Sequence, residues 1–282
     1  MEDQVTRLIE LRKLEERSKI NPLSKIVSIV SGKGGTGKSF FALNIAYQLS
    51  RLGKNVLLVD LDFNFPNLHL LLNHVAENTI IDFLNRRKLL RELIFRYSEN
   101  LSIIFGDSGS ADNPKVTIDS MEYFFIQLNK IAPQYDFIIL DSSAGVDEIT
   151  LNQLKKSDYN IVIATPEPTA VMDAYVLLKF IYEYTDVTKN YIVFNKSESK
   201  EDSDSAFQNL STALRHFLKF EVSLLGVIGY DRIVYKSIME QVILVKSYPN
   251  SKSALELNEL VIRLLKITQV ANNNQTLRFT RF

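Results

Sequence analysis

The chain has 282 residues, of which 46% are hydrophobic and 23% charged, so it can bury the core of a globular protein. Lysine plus arginine and aspartate plus glutamate each total 33, and this zero net charge argues against strong nonspecific binding to nucleic acid, which needs a basic surface. The sequence contains no cysteine, which excludes disulfides, thiolate zinc sites and iron–sulfur clusters.

The N-terminal region predicts a helix that stands apart from the rest. Residues 3–19 have Asp3 as a candidate N-cap and a short apolar stripe that includes Leu8, and Pro22 interrupts the pattern before the first strand. We therefore expect an appended helix and linker at 1–22, a domain at 23–268 and a C-terminal tail at 269–282. Because the first residues do not resemble a signal peptide and no apolar run approaches the ~20 residues of a membrane span, we expect a cytoplasmic protein.

From residue 25 onward, short apolar runs alternate with longer segments of helical spacing. The predicted strands span residues 25–31, 55–60, 101–105, 136–141, 160–164, 190–195 and 223–227. The predicted helices span residues 40–52, 118–131, 147–155, 169–184, 205–218 and about 253–267. Because the strands are apolar throughout, they indicate a mostly parallel sheet with helices on both faces, which is a three-layer α/β fold. The polar run 197–205 predicts a surface loop.

The turn between the first predicted strand and helix has the composition of a phosphate-binding loop. It reads Gly32-Lys33-Gly34-Gly35-Thr36-Gly37-Lys38-Ser39 and is followed by Phe40. Such a turn aims backbone N–H groups and a helix N-terminus at one point, which favours a phosphate group. Lys38 can reach the β- and γ-phosphates, and the Ser39 hydroxyl can hold Mg²⁺. The sequence therefore predicts a P-loop NTPase.

Polar residues end three further predicted strands. Asp60 and Asp62 follow the second strand, Asp141 the fourth and Asn195 the sixth. Ligands of parallel sheets bind beyond the carboxyl ends of the strands, where a carboxylate can hold Mg²⁺ directly or through water. Taken alone, each aspartate is more typical of a turn or cap, and Asn195 of a loop with a local hydrogen bond. Because the same sequence contains a phosphate loop, we interpret these strand-end residues as parts of one nucleotide site.

Lys33 is the most diagnostic residue of the loop. It resembles the signature lysine of the deviant Walker A family, the MinD/ParA ATPases, and the resemblance extends from Lys25 to Ile267. In that family the lysine crosses the interface of an ATP-bridged homodimer. The resemblance implies a slow ATPase that uses ATP and Mg²⁺ and acts as a molecular switch.

The same resemblance implies roles for single residues. The catalytic residues would be Lys33, Lys38 and Asp62, of which Asp62 positions the hydrolytic water. The magnesium region would comprise Ser39, Asp60, Asp62 and Asp141. The ATP contacts would be the residues from Gly32 to Phe40 together with Asn195 and Asp231, the last two at the adenine.

Two segments are similar to the FlhG/FleN subfamily of flagellar regulators. Residues 165–175 resemble that subfamily's loop and helix after a central strand, and Asp3, Gln4 and Leu8 match part of its N-terminal motif. The resemblance implies control of the number or placement of flagella. It also implies that residues 1–20, including Arg12, contact the GTPase FlhF, with flagellar switch proteins or a transcription regulator as further partners.

Two other functions and one property of the tail stay open at this point. A ParA-type ATPase would position DNA or another cargo, and a non-hydrolysing scaffold of the same fold would bind partners through residues 1–20. Relatives dock on membrane through a C-terminal helix, and Phe279 with Arg281 suits a peripheral anchor at the inner face of the cell membrane. A polar tail with incidental aromatic residues is the alternative.

Overall fold

The computed structural model describes residues 24–107, 116–187 and 189–279, with residues 270–279 described by their backbone alone. The predicted N-terminal helix and the partner contacts proposed for Asp3, Gln4, Leu8 and Arg12 lie outside the described residues.

The described chain contains one sheet of eight strands. The strands are β1 Lys25–Ser31, β2 Val56–Leu61, β3 Phe95–Arg96, β4 Leu101–Ile104, β5 Phe137–Ala144, β6 Tyr159–Ala164, β7 Asn190–Ser197 and β8 Ser223–Gly229. Their spatial order is β3-β4-β2-β5-β1-β6-β7-β8. All neighbours are parallel except β3, which pairs antiparallel with β4. The prediction of a mostly parallel sheet is confirmed, whereas the two-residue edge strand β3 was not predicted.

Helices cover the sheet. They are α1 Lys38–Arg51, α2 Leu68–Leu71, α3 Ile80–Leu84, α4 Ile118–Ile131, α5 Glu148–Lys155, α6 Pro168–Tyr184, α7 Lys200–Leu218, α8 Arg232–Met239, α9 Leu244–Ser247 and α10 Lys252–Phe279. The six helices predicted after residue 25 are present. Four short ones, α2, α3, α8 and α9, were missed because a helix of one or two turns shows little periodicity.

Two predicted boundaries are wrong. The polar run 197–205 is not a loop, since β7 extends to Ser197 and α7 begins at Lys200. Ser199 caps this helix: its hydroxyl accepts the N–H of Asp202, and the Asp202 carboxylate accepts the N–H of Ser199. Such a capping box satisfies free N–H groups at the helix start, which explains why a polar sequence is helical here. The last helix also continues past its predicted end at 267, to Phe279.

The core lies on both faces of the sheet. Along β2, Val56 and Leu58 belong to one buried apolar cluster, and Leu57 and Val59 belong to another. Successive side chains of a strand point to opposite faces, so a strand covered on both sides must be apolar throughout. Helix α1 is buried on almost all sides, because it lies between the sheet and α10.

Candidate nucleotide-binding site

The phosphate loop joins the central strand β1 to the buried helix α1. Gly35 and Gly37 have φ angles of 78° and 91°, a left-handed conformation that residues with a Cβ adopt only with strain. The Ser31 hydroxyl donates to the Lys33 carbonyl oxygen at 2.9 Å and so holds the start of the loop. The first N–H groups of α1 have no partners within the helix, so the loop and the helix together form an anion-binding site.

A cleft of about 970 Å³ opens beside this loop. Its walls include the loop itself, Asp62, Asn195 and the turn 229–231 at the end of β8. Helix α8 adds an apolar wall that contains Val234 and Tyr235. This size and this mixture of polar and apolar walls suit a nucleotide.

Lys38 contacts two aspartates, of which Asp62 lines the cleft and Asp141 is buried. The Lys38 Nζ lies 3.0 Å from Oδ1 of Asp141 and 3.9 Å from Oδ2 of Asp62. Asp141 is fully buried, and this burial raises its pKa even though the Lys38 ammonium opposes the effect. The sheet therefore brings together three of the predicted site residues, from the loop after β2, from β5 and from the start of α1.

Asp60 occupies a different environment from Asp62. Its Oδ1 accepts the N–H of Asp62 at 3.1 Å, and its Oδ2 accepts the N–H groups of Asn67 at 3.2 Å and Leu68 at 3.3 Å. Burial, followed by the charge of Asp141, raises the pKa of Asp60 to about 8. Among the described residues Asp60 neither lines the cleft nor forms an ion pair with Lys38, so its contacts support a role in shaping the loop after β2, and its place in the magnesium region stays a prediction.

The residues around Lys38 suit Mg²⁺ that is shared with a phosphate. Oδ2 of Asp141 is buried and receives no hydrogen bond within the described residues. Ser39 lines the cleft at the start of α1. No three histidine, aspartate or glutamate side chains in the described ranges converge into a complete metal cage. Mg²⁺ at nucleotide sites typically takes one or two protein ligands and completes its shell with phosphate oxygens and water.

Lys33 contacts its own subunit. Its Nζ donates to Oε2 of Glu167 at 3.0 Å and to the Thr169 hydroxyl at 3.3 Å, both at the start of α6. The hydrogen bond and charge of Lys33 lower the pKa of Glu167. Glu167 lies within residues 165–175, but nothing in the sequence indicates that it pairs with Lys33. A contact between Lys33 and a second subunit requires this ion pair to open.

The two predicted adenine contacts are engaged within the protein. Asn195 donates from Nδ2 to the Thr36 carbonyl oxygen at 2.8 Å and so supports the phosphate loop. Asp231 caps α8: its Oδ1 accepts the Ile233 N–H at 2.9 Å, and its Oδ2 accepts the Ser253 N–H at 3.1 Å. Both residues line the cleft, and their contact with adenine stays a prediction.

One residue of the site was not predicted from the sequence. Lys196 donates from Nζ to the Gly35 carbonyl oxygen at 2.8 Å, next to the bond from Asn195. A lysine after Asn195 carries no signal of its own, because only the order of the strands brings it to the loop. Tyr230 belongs to the segment 229–231 that the family resemblance links to adenine; it lines the cleft and is 58% exposed, and its contact with adenine stays a prediction.

A family model described as "AAA domain" matches residues 24–194, which is more than half of the chain. The chain belongs to this family. The matched part of the AAA domain runs from β1 to β7 and contains the phosphate loop, both aspartates that contact Lys38 and the start of α6.

Comparison of its sequence and structure with known proteins assigns this AAA domain to the MinD/ParA ATPases. The chain is 26% identical over 244 residues to the antiactivator FleN of Pseudomonas aeruginosa, a match that covers 86% of each protein. It is 26% identical over 238 residues to the flagellum site-determining protein YlxH of Helicobacter pylori, covering 84% of this chain and 80% of that one. The septum site-determining protein MinD of Pyrococcus horikoshii OT3, solved in complex with Mg-ADP, matches with a TM-score of 0.74 and 26% identity over 88% of this chain and 98% of that chain.

Across the described residues, no helix combines the length and the apolar character that crossing a membrane requires.

Proposed function

We propose that this chain is a nucleotide-operated dimerisation switch that hydrolyses ATP slowly and regulates the number or placement of flagella. The observation that carries the proposal is the convergence of Lys38, Asp62 and Asp141 beside the phosphate loop, where Lys38 and Asp62 line a cleft of nucleotide size. The flagellar part of the proposal is supported by the likeness to FleN and YlxH over most of the chain.

Each residue of the cleft has a proposed task. The loop N–H groups and Lys38 bind the β- and γ-phosphates of ATP, and Asp62 orients the attacking water. Ser39 and Asp141 would hold Mg²⁺, which neutralises phosphate charge when it is bound. To reach the phosphates, the Lys38 ammonium has to leave Asp141, whose second oxygen is already unpaired.

Lys33 links hydrolysis to dimerisation in this proposal. In the single subunit it is held by Glu167, and in the ATP-bound dimer it would contact the nucleotide of the other subunit. The ion pair is partly exposed, with side-chain accessibilities of 33% for Lys33 and 66% for Glu167, so exchanging it for a phosphate contact costs little free energy. Hydrolysis and phosphate release would return Lys33 to Glu167 and separate the subunits.

Size-exclusion chromatography with MgATP tests the switch. We expect an Asp62→Ala variant to bind ATP, to release phosphate at least tenfold more slowly than the wild type, and to accumulate as a dimer. A Lys33→Ala variant should remain monomeric. Asp204→Ala, which changes an exposed aspartate of α7, serves as the matched control and should behave as the wild type.

Two results would contradict the proposal. If Asp62→Ala forms no more dimer with ATP than without it, the switch has no basis. If the wild type binds ATP but releases no phosphate, the chain is a scaffold of the same fold.

We also propose that residues 1–20 contact a partner protein, for which the GTPase FlhF is the candidate. The support for this is the similarity of Asp3, Gln4 and Leu8 to the subfamily motif. Co-purification of FlhF with the full chain, and its loss when residues 1–20 are deleted, is the expected result. Equal retention by both chains would assign the contact to the ATPase domain instead.

A further inference from the structure

A serine at the end of β5 contacts the aspartate that is proposed to orient water. Ser143 lies two residues after Asp141 and is 8% exposed. Its hydroxyl is 3.1 Å from Oδ1 of Asp62 and 3.5 Å from the carbonyl oxygen of Leu61, so the carboxylate is its better acceptor. The contact joins the ends of the neighbouring strands β2 and β5, which pair as far as Leu61 and Ser142.

The two oxygens of Asp62 have different surroundings. Oδ1 accepts the N–H groups of Asn64 at 3.2 Å and Phe65 at 3.0 Å in addition to the Ser143 hydroxyl. Oδ2 has no hydrogen-bond donor within bonding distance among the described residues, and the Lys38 Nζ is 3.9 Å away. One oxygen is therefore anchored, while the other is left to accept a hydrogen bond from water in the cleft.

The three donors to Oδ1 are not equivalent. Asn64 and Phe65 belong to the same turn as Asp62, so their N–H groups move with it. Ser143 is on β5, the strand that also carries Asp141. Only the Ser143 hydroxyl, of these three donors, sets the position of the Asp62 carboxylate relative to the strand that would hold the metal.

We propose that Ser143 is a positioning residue for ATP hydrolysis, which fixes Asp62 so that its free oxygen faces the attacking water. The inference rests on the proposed function, because it assigns a role within the same hydrolytic site. Ser143 does not touch the nucleotide in this account and acts only through Asp62. Its loss should slow the chemical step and leave the affinity for ATP unchanged.

The test compares Ser143→Ala and Ser143→Thr in the full chain, with Ser205→Ala on the exposed side of α7 as the matched control. We expect Ser143→Ala to lower kcat about 5- to 20-fold, the effect of removing one hydrogen bond to a charged group. Its dissociation constant for ATP and its melting temperature should stay close to those of the wild type. The MgATP dimer should persist longer in proportion to the slower hydrolysis. Ser143→Thr keeps the hydroxyl and should recover most of kcat.

A second comparison separates positioning from a general structural effect. In an Asp62→Ala background, single-turnover hydrolysis should change less than twofold when Ser143→Ala is added, because position 62 then offers the serine no side-chain acceptor. The inference is overturned if Ser143→Ala hydrolyses ATP at the wild-type rate, or if it slows both backgrounds equally. A wild-type chain that neither binds nor hydrolyses ATP would refute the proposed function itself, and the inference with it.

Discussion

Asp60 and Asp62 are separated by one residue and have different chemical surroundings. Asp60 is enclosed and accepts three backbone N–H groups, and burial raises its pKa to about 8. Asp62 lines the cleft and keeps one oxygen free. By accepting these N–H groups, the Asp60 carboxylate shapes the turn that carries Asp62. Asp60 therefore supports the site even though it does not face the nucleotide cleft.

Gly32 and Gly34 have different steric roles, which gives a prediction at the residue scale. A Cβ at Gly32 would lie 2.5 Å from the carbonyl carbon and oxygen of Asp173 in α6, whereas a Cβ at Gly34 would meet no atom within 4 Å. We expect Gly32→Ala to destabilise the protein by about 1–3 kcal/mol, because backbone atoms would have to shift. Gly34→Ala should change the free energy of unfolding by less than about 0.5 kcal/mol. Urea denaturation of the two nucleotide-free variants measures both values.

Equal stability of the two alanine variants would show that α6 does not limit the space at Gly32. The comparison matters for function, because α6 also carries Glu167 and Thr169, the residues that hold Lys33. The glycine at 32 therefore allows α6 to approach the loop closely enough for this ion pair to form.

At the scale of single elements, α7 shows how a cap overrides composition. Its first turns, from Lys200 to Ser205, are almost entirely charged or hydroxylated and predict a loop on hydropathy alone. The reciprocal hydrogen bonds of Ser199 and Asp202 begin the helix, and Ala206, Leu210 and Leu214 then bury one face against the sheet. The pattern Ser-x-x-Asp is the local signal that marks the start of this helix.

The same cap gives a prediction at the element scale. Ser199→Ala removes the side-chain acceptor and should lower the free energy of unfolding by about 1 kcal/mol. Ser205→Ala lies within the same helix on its exposed side and should be neutral or slightly stabilising, because alanine has the higher helix propensity. Thermal or urea unfolding compares the two. A Ser199→Ala variant as stable as Ser205→Ala would mean that the cap contributes nothing measurable.

At the scale of the whole molecule, the C-terminal helix closes the core around the nucleotide-binding helix. Helix α10 packs against β8 and α1, and its residues Leu257, Leu260 and Val261 are buried in the same cluster as α1. The helix that carries Lys38 and Ser39 is thus held between the sheet and α10. Stability of the phosphate loop depends on residues more than two hundred positions away.

This packing gives a prediction at the scale of the whole molecule. Leu257→Ala, at a fully buried position, should destabilise the protein by about 2–5 kcal/mol through lost burial and a cavity. Leu255→Ala changes a leucine of the same helix that is 53% exposed and should cost less than about 1 kcal/mol. Chemical denaturation, followed by both circular dichroism and ATP binding, measures the loss. If Leu257→Ala unfolds no earlier than Leu255→Ala, α10 is not part of the cooperative core.

The sequence by itself determined the phosphate loop, every strand except the two-residue β3, and the long helices, because each of these depends on local features. Glycines at 35 and 37 are required by left-handed backbone angles, and apolar runs are required by burial on both faces of the sheet. These signals lie within stretches of about ten residues, so they can be read without the fold. The resemblance to MinD/ParA ATPases depends on the same loop.

Only the tertiary structure decided which side chains meet. Three contacts of the site join residues that are far apart in the sequence. The separation is 134 positions for Lys33 and Glu167, 159 for Asn195 and the Thr36 carbonyl, and 81 for Ser143 and Asp62. Each pair forms because the strand order β2-β5-β1-β6-β7 places the ends of distant strands side by side, and no local pattern encodes that order. The local sequence therefore specifies the chemistry of each strand end, and the sheet topology specifies which of these ends share a site.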